Sequence, residues 1–340
     1  MTFLPVLMMF ALAQSPAKIA APPASCSEIR TRISHNDLEE ADKLLKSSSA
    51  AGIGCESEYL LLARAYISAR QFEKANAASL QAFQLKQSVD AYLLIATASM
   101  EMHKLNESIQ WLQHASVPYP DDARIYKILG LNYALAGMMV EAAGAFQTAA
   151  KLDGKNWEYA YMEGRALTEL NKLNHAQAAL RRAAELNGLE TKIETALGQT
   201  YERAHADEKA EQSYRKAVEK CSGDNRECVW PLLDLGILLS RERGFAEAEP
   251  WLVRAVHADP QWAKPHFYLA KAYAARNDTA GACEEFEAAA RLDHDKSEYH
   301  YELAQTYRAL GRPTDATREL SLFRQTAALE KRTLSAIGLR

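Results

Sequence analysis

The chain has 340 residues, 48% of them hydrophobic and 25% charged, with a formal net charge of −4. That is enough apolar material for two ordinary globular domains or one long solenoid, and it excludes a disordered chain or a polytopic membrane protein. The slight acidity argues against a dedicated nucleic-acid binder, which carries a basic stripe. Residues 1–13, MTFLPVLMMFALA, read as a secretory signal peptide. The run from Phe3 to Ala13 is 11 residues, too short to span a bilayer. Ala11-Leu12-Ala13 supplies a small-residue cleavage site and places Gln14 at the mature end. A short membrane anchor or an uncleaved apolar tail are the alternatives for the same run. Export to a periplasm, the cell surface or the medium is the expectation, with no stable membrane insertion after cleavage. Residues 14–25, QSPAKIAAPPAS, read as a flexible linker.

Residues 26–55 read as an incomplete helical pair that caps the array. Asn36 is positioned to cap its second helix, with Glu39 completing a capping box. From residue 56 onward the sequence repeats. With Ala123 as position 1 of a 34-residue unit, Leu129 is position 7, Gly130 position 8, Tyr133 position 11, Ala142 position 20, Phe146 position 24 and Ala149 position 27. Steps of 34 carry Gly130 to Gly164 and Gly198, Ala142 to Ala176 and Ala210, and Ala149 to Ala183 and Ala217. Apolar residues within a unit recur every three or four, which is helical spacing, and a fixed period of this length marks a stacked repeat. Gly137 breaks the unit near its middle, so each unit is two helices and a turn.

Eight units follow: 56–88, 89–122, 123–156, 157–190, 191–224, 229–262, 263–296 and 297–330, with 331–340 extending the last helix. Position 8 is Gly or Ala in all eight, and position 20 is Ala in seven, Ser108 being the exception. Small residues there let two antiparallel helices approach closely, while larger residues at 7, 11 and 24 fill the space alongside. One pair cannot bury its own apolar face, so stability needs neighbours.

This pattern resembles the tetratricopeptide repeat family, on Leu-Gly-x-x-Tyr at 129–133, Ala142, Phe146 and Ala149. Tyr126 stands where the family has tryptophan, and Gly154 where it has proline. The resemblance implies an all-α fold, a right-handed superhelical solenoid of helix-turn-helix repeats. It also implies a concave groove lined by positions 2, 5, 9 and 12 of each unit. Carried over, the groove holds Tyr161, Arg165, Gln199, Glu202, Leu233, Ile237, Phe267, Lys271, Tyr301, Gln305 and Arg308. Aromatic rings beside Arg, Lys and Gln suit an extended peptide; the same rings at helical spacing also suit packing between units. The family's carboxylate clamp is not matched: Lys127 is at position 5, but Leu131 occupies position 9, and Met162, Ala196 and Asp234 occupy position 6.

There are five cysteines. Gly198 and Gly236 are 38 residues apart, a four-residue insertion that contains Cys221-SGDNRE-Cys228. Two cysteines bracketing a polar turn read as a disulfide-closed loop. Cys26 opens the first helix of the capping pair and Cys55 ends its second, which places them side by side for a second disulfide. Cys283 reads as a buried free thiol. If the chain is not exported, all five are reduced. No metal or other cofactor is expected, since no His pair lies at ligand spacing near these cysteines.

No nucleophile elbow, zinc-helix motif, phosphate loop or dinucleotide fingerprint occurs. His294 and His300 flank a turn between units. The function expected is a non-enzymatic scaffold, an adaptor or assembly factor that binds a protein or peptide segment and no nucleic acid. The alternatives are a regulatory or substrate-presenting subunit of a larger complex, or an enzyme with an unrecognised site.

Overall fold

A computed structural model describes residues 25–221, 223 and 225–336. The expected signal peptide, all of the linker but Ser25, and the last four residues of the C-terminal extension lie outside the described residues. These contain helices and no strand. The chain divides into two compact units, one ending at Tyr119 and one beginning at Pro120.

In the first unit, α1 (Cys26–Ser34) and α2 (Leu38–Ala50) form the capping pair. They are followed by α3 (Glu56–Ser68) with α4 (Phe72–Leu85), and α5 (Val89–Glu101) with α6 (Leu105–Ser116). The second unit pairs α7 (Ala123–Leu135) with α8 (Met139–Leu152), α9 (Trp157–Glu169) with α10 (Leu173–Leu186), and α11 (Thr191–Arg203) with α12 (Asp207–Glu219). A 3-10 turn at Arg226–Cys228 leads into α13 (Val229–Glu242), which pairs with α14 (Phe245–Ala258). The last pairs are α15 (Ala263–Ala275) with α16 (Thr279–Leu292), and α17 (Ser297–Ala309) with α18 (Pro313–Ala336). Within each unit a helix packs chiefly on its hairpin partner and on the next helix in the chain.

The close approach inside a pair is steric. A Cβ on Gly130 would lie 2.5 Å from the Phe146 ring, one on Gly164 2.5 Å from Leu180, one on Gly198 2.4 Å from Tyr214, and one on Gly236 2.6 Å from Leu252. In each pair the position-8 glycine is the floor on which the position-24 side chain lies. Ala142, Ala176, Ala210 and Ala248, at position 20 of the same pairs, are fully buried. Ser108, the exception at position 20, is also fully buried, and its hydroxyl donates to the Ala96 carbonyl at 2.7 Å. The packing tolerates the extra oxygen because it finds an acceptor on the facing helix.

The turns inside the full pairs all pass through one left-handed residue. Three are glycines, Gly137, Gly244 and Gly311; the others are Arg70, His103, Asn171, His205 and Asn277. Except at Gly244, the next N–H then returns to a carbonyl five residues back, as from Gln71 to Tyr66 at 2.8 Å and from Lys104 to Ser99 at 2.9 Å. These bonds satisfy carbonyls that the helix end leaves open, which offsets the cost of a left-handed side-chain residue. Asn36 occupies the same kind of position in the capping pair, with φ of 64°. It therefore does not cap α2; Asp37 is the flanking residue, without a side-chain capping bond.

Cys26 and Cys55 are disulfide-bonded, as are Cys221 and Cys228, with Cα atoms 5.7 and 5.8 Å apart. Cys55 does not end α2, which stops at Ala50; it follows a short loop and immediately precedes α3. Cys283 is a buried free thiol. Burial and the neighbouring Glu287 push its pKa up to about 11.

Two histidines occupy position 4 of consecutive pairs. His266 Nδ1 lies 2.6 Å from Glu285, and its Nε2 lies 3.1 Å from the Pro260 carbonyl. His300 repeats the arrangement with Glu319 at 2.8 Å and the His294 carbonyl at 2.9 Å. Both ring nitrogens of His266 face acceptors, so only its imidazolium donates to both. For His266 burial opposes the charge, yet the bonds to Glu285 and Pro260 and the charge of Glu285 outweigh it and raise the pKa above 6.5.

Gly164→Val is expected to destabilise the protein by about 2–3 kcal/mol, because the new side chain must displace Leu180. Thermal melting reads this, and an unchanged midpoint would contradict the steric account. The His266 pair stabilises fully below the unfolded pKa, and that contribution is lost as pH rises through the higher folded value. The gap in denaturation midpoint between wild type and His266→Gln is therefore expected to be wider at about pH 5.5 than at about pH 8.5. A gap independent of pH would show that the pair stays neutral.

Candidate functional site

The first helices of the pairs in the second unit present one common face. Between α9, α11 and the segment leading into α13 that face encloses a cavity of about 670 Å³. Tyr161 and Arg165 come from α9, Lys192, Thr195 and Gln199 from α11, and Lys220, Glu227, Trp230 and Pro231 from the disulfide-closed insertion and its flanks. Helices α9 and α11 supply two walls, and the end of α12, Glu227 of the insertion and the start of α13 supply the third. Helical spacing places Tyr161 beside Arg165, whose guanidinium stands 5.9 Å from the ring. Lys192 lies over the Trp157 ring at 4.6 Å and 3.7 Å from Glu190. Lys220 is bound to Glu194 at 2.8 Å. Trp230 packs on Trp262 with ring centroids 4.5 Å apart, while about half of its surface stays exposed.

A second cavity, of about 660 Å³, lies further along the same helices and shares Gln199 with the first. Its charges are paired with one another. Arg203 binds Glu169 at 2.9 Å, and Arg241 binds Glu202 at 2.8 Å and Asp207 at 3.0 Å. The buried Tyr214 hydroxyl also donates to Glu202, at 2.9 Å.

Asp234 sits beside Gln199, which donates to it at 2.9 Å. Burial raises its pKa to about 6; the Gln199 bond and the more distant Lys264 pull it down, and Glu202 pushes it up. Among the described residues, no Lys, Arg or His forms an ion pair with it.

Tyr161, Arg165 and Gln199 line the first cavity, and Gln199 and Glu202 line the second. Leu233 and Phe267, expected in the groove, are instead core residues, 0% and 2% exposed. Phe267 packs on Tyr299 and Phe286 at 4.7 and 5.7 Å. With no polar end to keep in water, these two side chains fill the seams between neighbouring helices. Tyr301 has a hydroxyl to solvate and stays 41% exposed, against Phe323. Ile237 and Lys271 are half-buried, Lys271 lying over the Phe267 ring at 5.2 Å. Gln305 is half-buried and Arg308 exposed, 3.4 Å apart.

Sequence reasoning missed Lys192 and Trp230, although position 2 belongs to the row the resemblance assigns to the groove. It also passed over Asp234, whose signal was a lone acid within the apolar run from Leu232 to Leu239.

The arrangement suits recognition more than reaction. The two buried histidines are bonded to carboxylates and carbonyls, and the one free thiol is held protonated. Cys26, Cys55 and Glu58 lie within 4.8 Å of one another, but the two sulfurs are bonded together and Glu58 accepts from Arg30 at 2.6 Å. No described helix is long and apolar enough to cross a membrane.

Residues 161–225 match the sequence model of the tetratricopeptide repeat. No curated protein sequence matches the chain. Among solved structures, a tetratricopeptide repeat protein from Parabacteroides merdae is similar with a TM-score of 0.57 and 13% identity, over 74% of this chain and 98% of that one. Yeast Tom70 is similar with a TM-score of 0.55 and 17% identity, over 87% of this chain and 60% of Tom70. A chain of the APC/C hetero-tetramer Cut9–Hcn1 is similar with a TM-score of 0.54 and 16% identity, over 86% of this chain and 57% of that one. At these identities the likeness establishes the fold. Residues 161–225 therefore carry tetratricopeptide repeat sequence, and the helix pairs of the described residues adopt the tetratricopeptide repeat fold.

Proposed function

We propose that the chain is an exported, non-enzymatic scaffold that holds an extended protein segment against the first helices of its second unit. The observation that carries this reading is the cavity between α9, α11 and α13. There an aromatic ring, a guanidinium and a carboxamide converge from Tyr161, Arg165 and Gln199. Rings bury ligand side chains while charged and amide groups pair with its polar atoms. One similar chain belongs to the Cut9–Hcn1 hetero-tetramer, which fits an adaptor or assembly role. Export is supported by the apolar N-terminal run with its small-residue cleavage site and by two cysteine pairs placed for disulfides. A periplasm, the cell surface or the medium would provide the oxidising surroundings.

A photo-crosslinking amino acid placed at Tyr161 or Gln199 in living cells is expected to trap a discrete protein partner. The same probe at Val140, an exposed residue on α8, is expected not to. Crosslinks confined to Val140 would move binding to another face. Intact mass of the native protein tests export separately. The expected mass begins at Gln14, with one alkylatable thiol before reduction and five after. A chain beginning at Met1 with five free thiols would place the scaffold in a reducing compartment.

A further inference from the structure

Most charges along the face from α9 to α13 are matched within the protein. Glu169 has Arg203, Glu202 has Arg241, and Lys220 has Glu194. Lys192 is held over Trp157 and beside Glu190. Arg165 and Asp234 stand apart. Arg165 has the Tyr161 ring and, among the described residues, no carboxylate at ion-pair distance. Asp234 has the Gln199 amide and no cation at that distance. Glu227 also has no ion pair among the described residues; it is exposed, as Arg165 is, but lies in the disulfide-closed loop and not on the helix row.

Resting on the groove-binding reading above, we infer that this face selects a bipolar extended peptide. An acidic side chain pairs with Arg165, and a basic one, Lys or Arg, pairs with Asp234. Gln199 lies on the helix between them. Its amide nitrogen is committed to Asp234, and its oxygen is left to accept a peptide N–H. Adjacent packed helices lie about 10 Å apart, so α9 and α13, with α11 between them, are separated by roughly 20 Å. An extended chain advances about 3.3 Å per residue, so the two ligand charges stand about six residues apart.

The energetics favour the same ligand. A largely buried carboxylate without a counter-ion is costly. The charged groups facing it are Glu202 from α11, with the buried Tyr214 of α12, and Lys264 and Tyr268 from α15. Glu202 repels it, and Lys264 attracts it without reaching ion-pair distance. A ligand cation supplies what the fold withholds. Asp234 resists ionisation until about pH 6, so the folded chain gives up stability as pH rises from the ordinary carboxylate range through that value. Asp234→Asn is therefore expected to fold at least as well as wild type above that pH.

Fluorescence polarisation with labelled dodecapeptides in a Ser/Thr/Val background tests the inference. One peptide carries Glu and Lys six residues apart. Others replace Glu by Gln, Lys by Gln, or both, place the two charges side by side, or exchange Lys for Arg. The six-residue spacing is expected to bind about tenfold more tightly than either singly neutralised peptide, the worth of one charge-assisted hydrogen bond. Arg165→Gln should remove the preference for Glu alone, and Asp234→Asn the preference for Lys or Arg alone. Affinity for the Lys peptide should fall as pH drops below about 6, and with Asp234→Asn that dependence should vanish. Equal binding of charged and neutral peptides, with both variants silent but Tyr161→Ala abolishing binding, would overturn the charge reading and leave groove binding standing. No binding by any peptide would also overturn it. If the crosslinks at Tyr161 and Gln199 were absent as well, the groove reading would fall with it.

Discussion

The approach of two antiparallel helices, with a position-24 side chain lying directly on a position-8 backbone, is the constraint on which the rest depends. Gly130 under Phe146, Gly164 under Leu180, Gly198 under Tyr214 and Gly236 under Leu252 leave no room for a methyl group. Close contact brings dispersion and apolar burial together at one place in each pair. Because the contact recurs at a fixed offset, the pairs of the second unit are near copies and stack with their first helices in one row. The recognition face is a consequence of that row, since its residues are those that the contact leaves outside.

Departures from regularity carry the individuality of the molecule. The four-residue insertion between Gly198 and Gly236 adds only the 3-10 turn at Arg226–Cys228. Closed by Cys221 and Cys228, it carries Glu227 and brings Trp230 and Pro231 against the face of α9 and α11. A strictly periodic array would offer a uniform furrow there; the insertion makes a cavity. The histidines at position 4 of the last two full pairs are a departure of another kind. They place a carboxylate-bonded imidazole where an apolar filler would serve, and at His266, whose pKa is raised, this couples packing to protonation.

Charge is distributed along the same face with a comparable division. Ion pairs that cross from one first helix to the next, such as Arg203 with Glu169 and Arg241 with Glu202, tie neighbouring repeats together and consume their own specificity. Arg165 and Asp234 are not used that way, and they stand on either side of Gln199. A solenoid can leave such groups uncompensated, because its stability is summed over many similar interfaces and one costly residue is a small fraction of the total.

The helices and their pairing were legible in the sequence because they follow from local spacing. Alanine and glycine every 34 residues, and apolar residues every three or four, leave little freedom in where the helices start. The left-handed turns were legible only at glycines. Arg70, His103 and His205 adopt the same backbone because hydrogen bonds returning to the helix end, five residues back, compensate its strain, and side-chain type does not report that. The groove was legible as a set of positions and not as a surface. Position 5 is shared between the seam and the face. Whether Phe267 turns inward and Tyr301 outward depends on the volume left by Tyr299 and Phe286 and on a hydroxyl seeking water. The isolation of Asp234 is likewise a property of what surrounds it. The sequence by itself determined the helices and their pairing, which are set by periodicity, and indicated the cysteine partners through a break in the period and the ends of the capping pair. Only the tertiary structure decided which side chains remain for a partner, because that depends on the space and charge contributed by residues a repeat or more away.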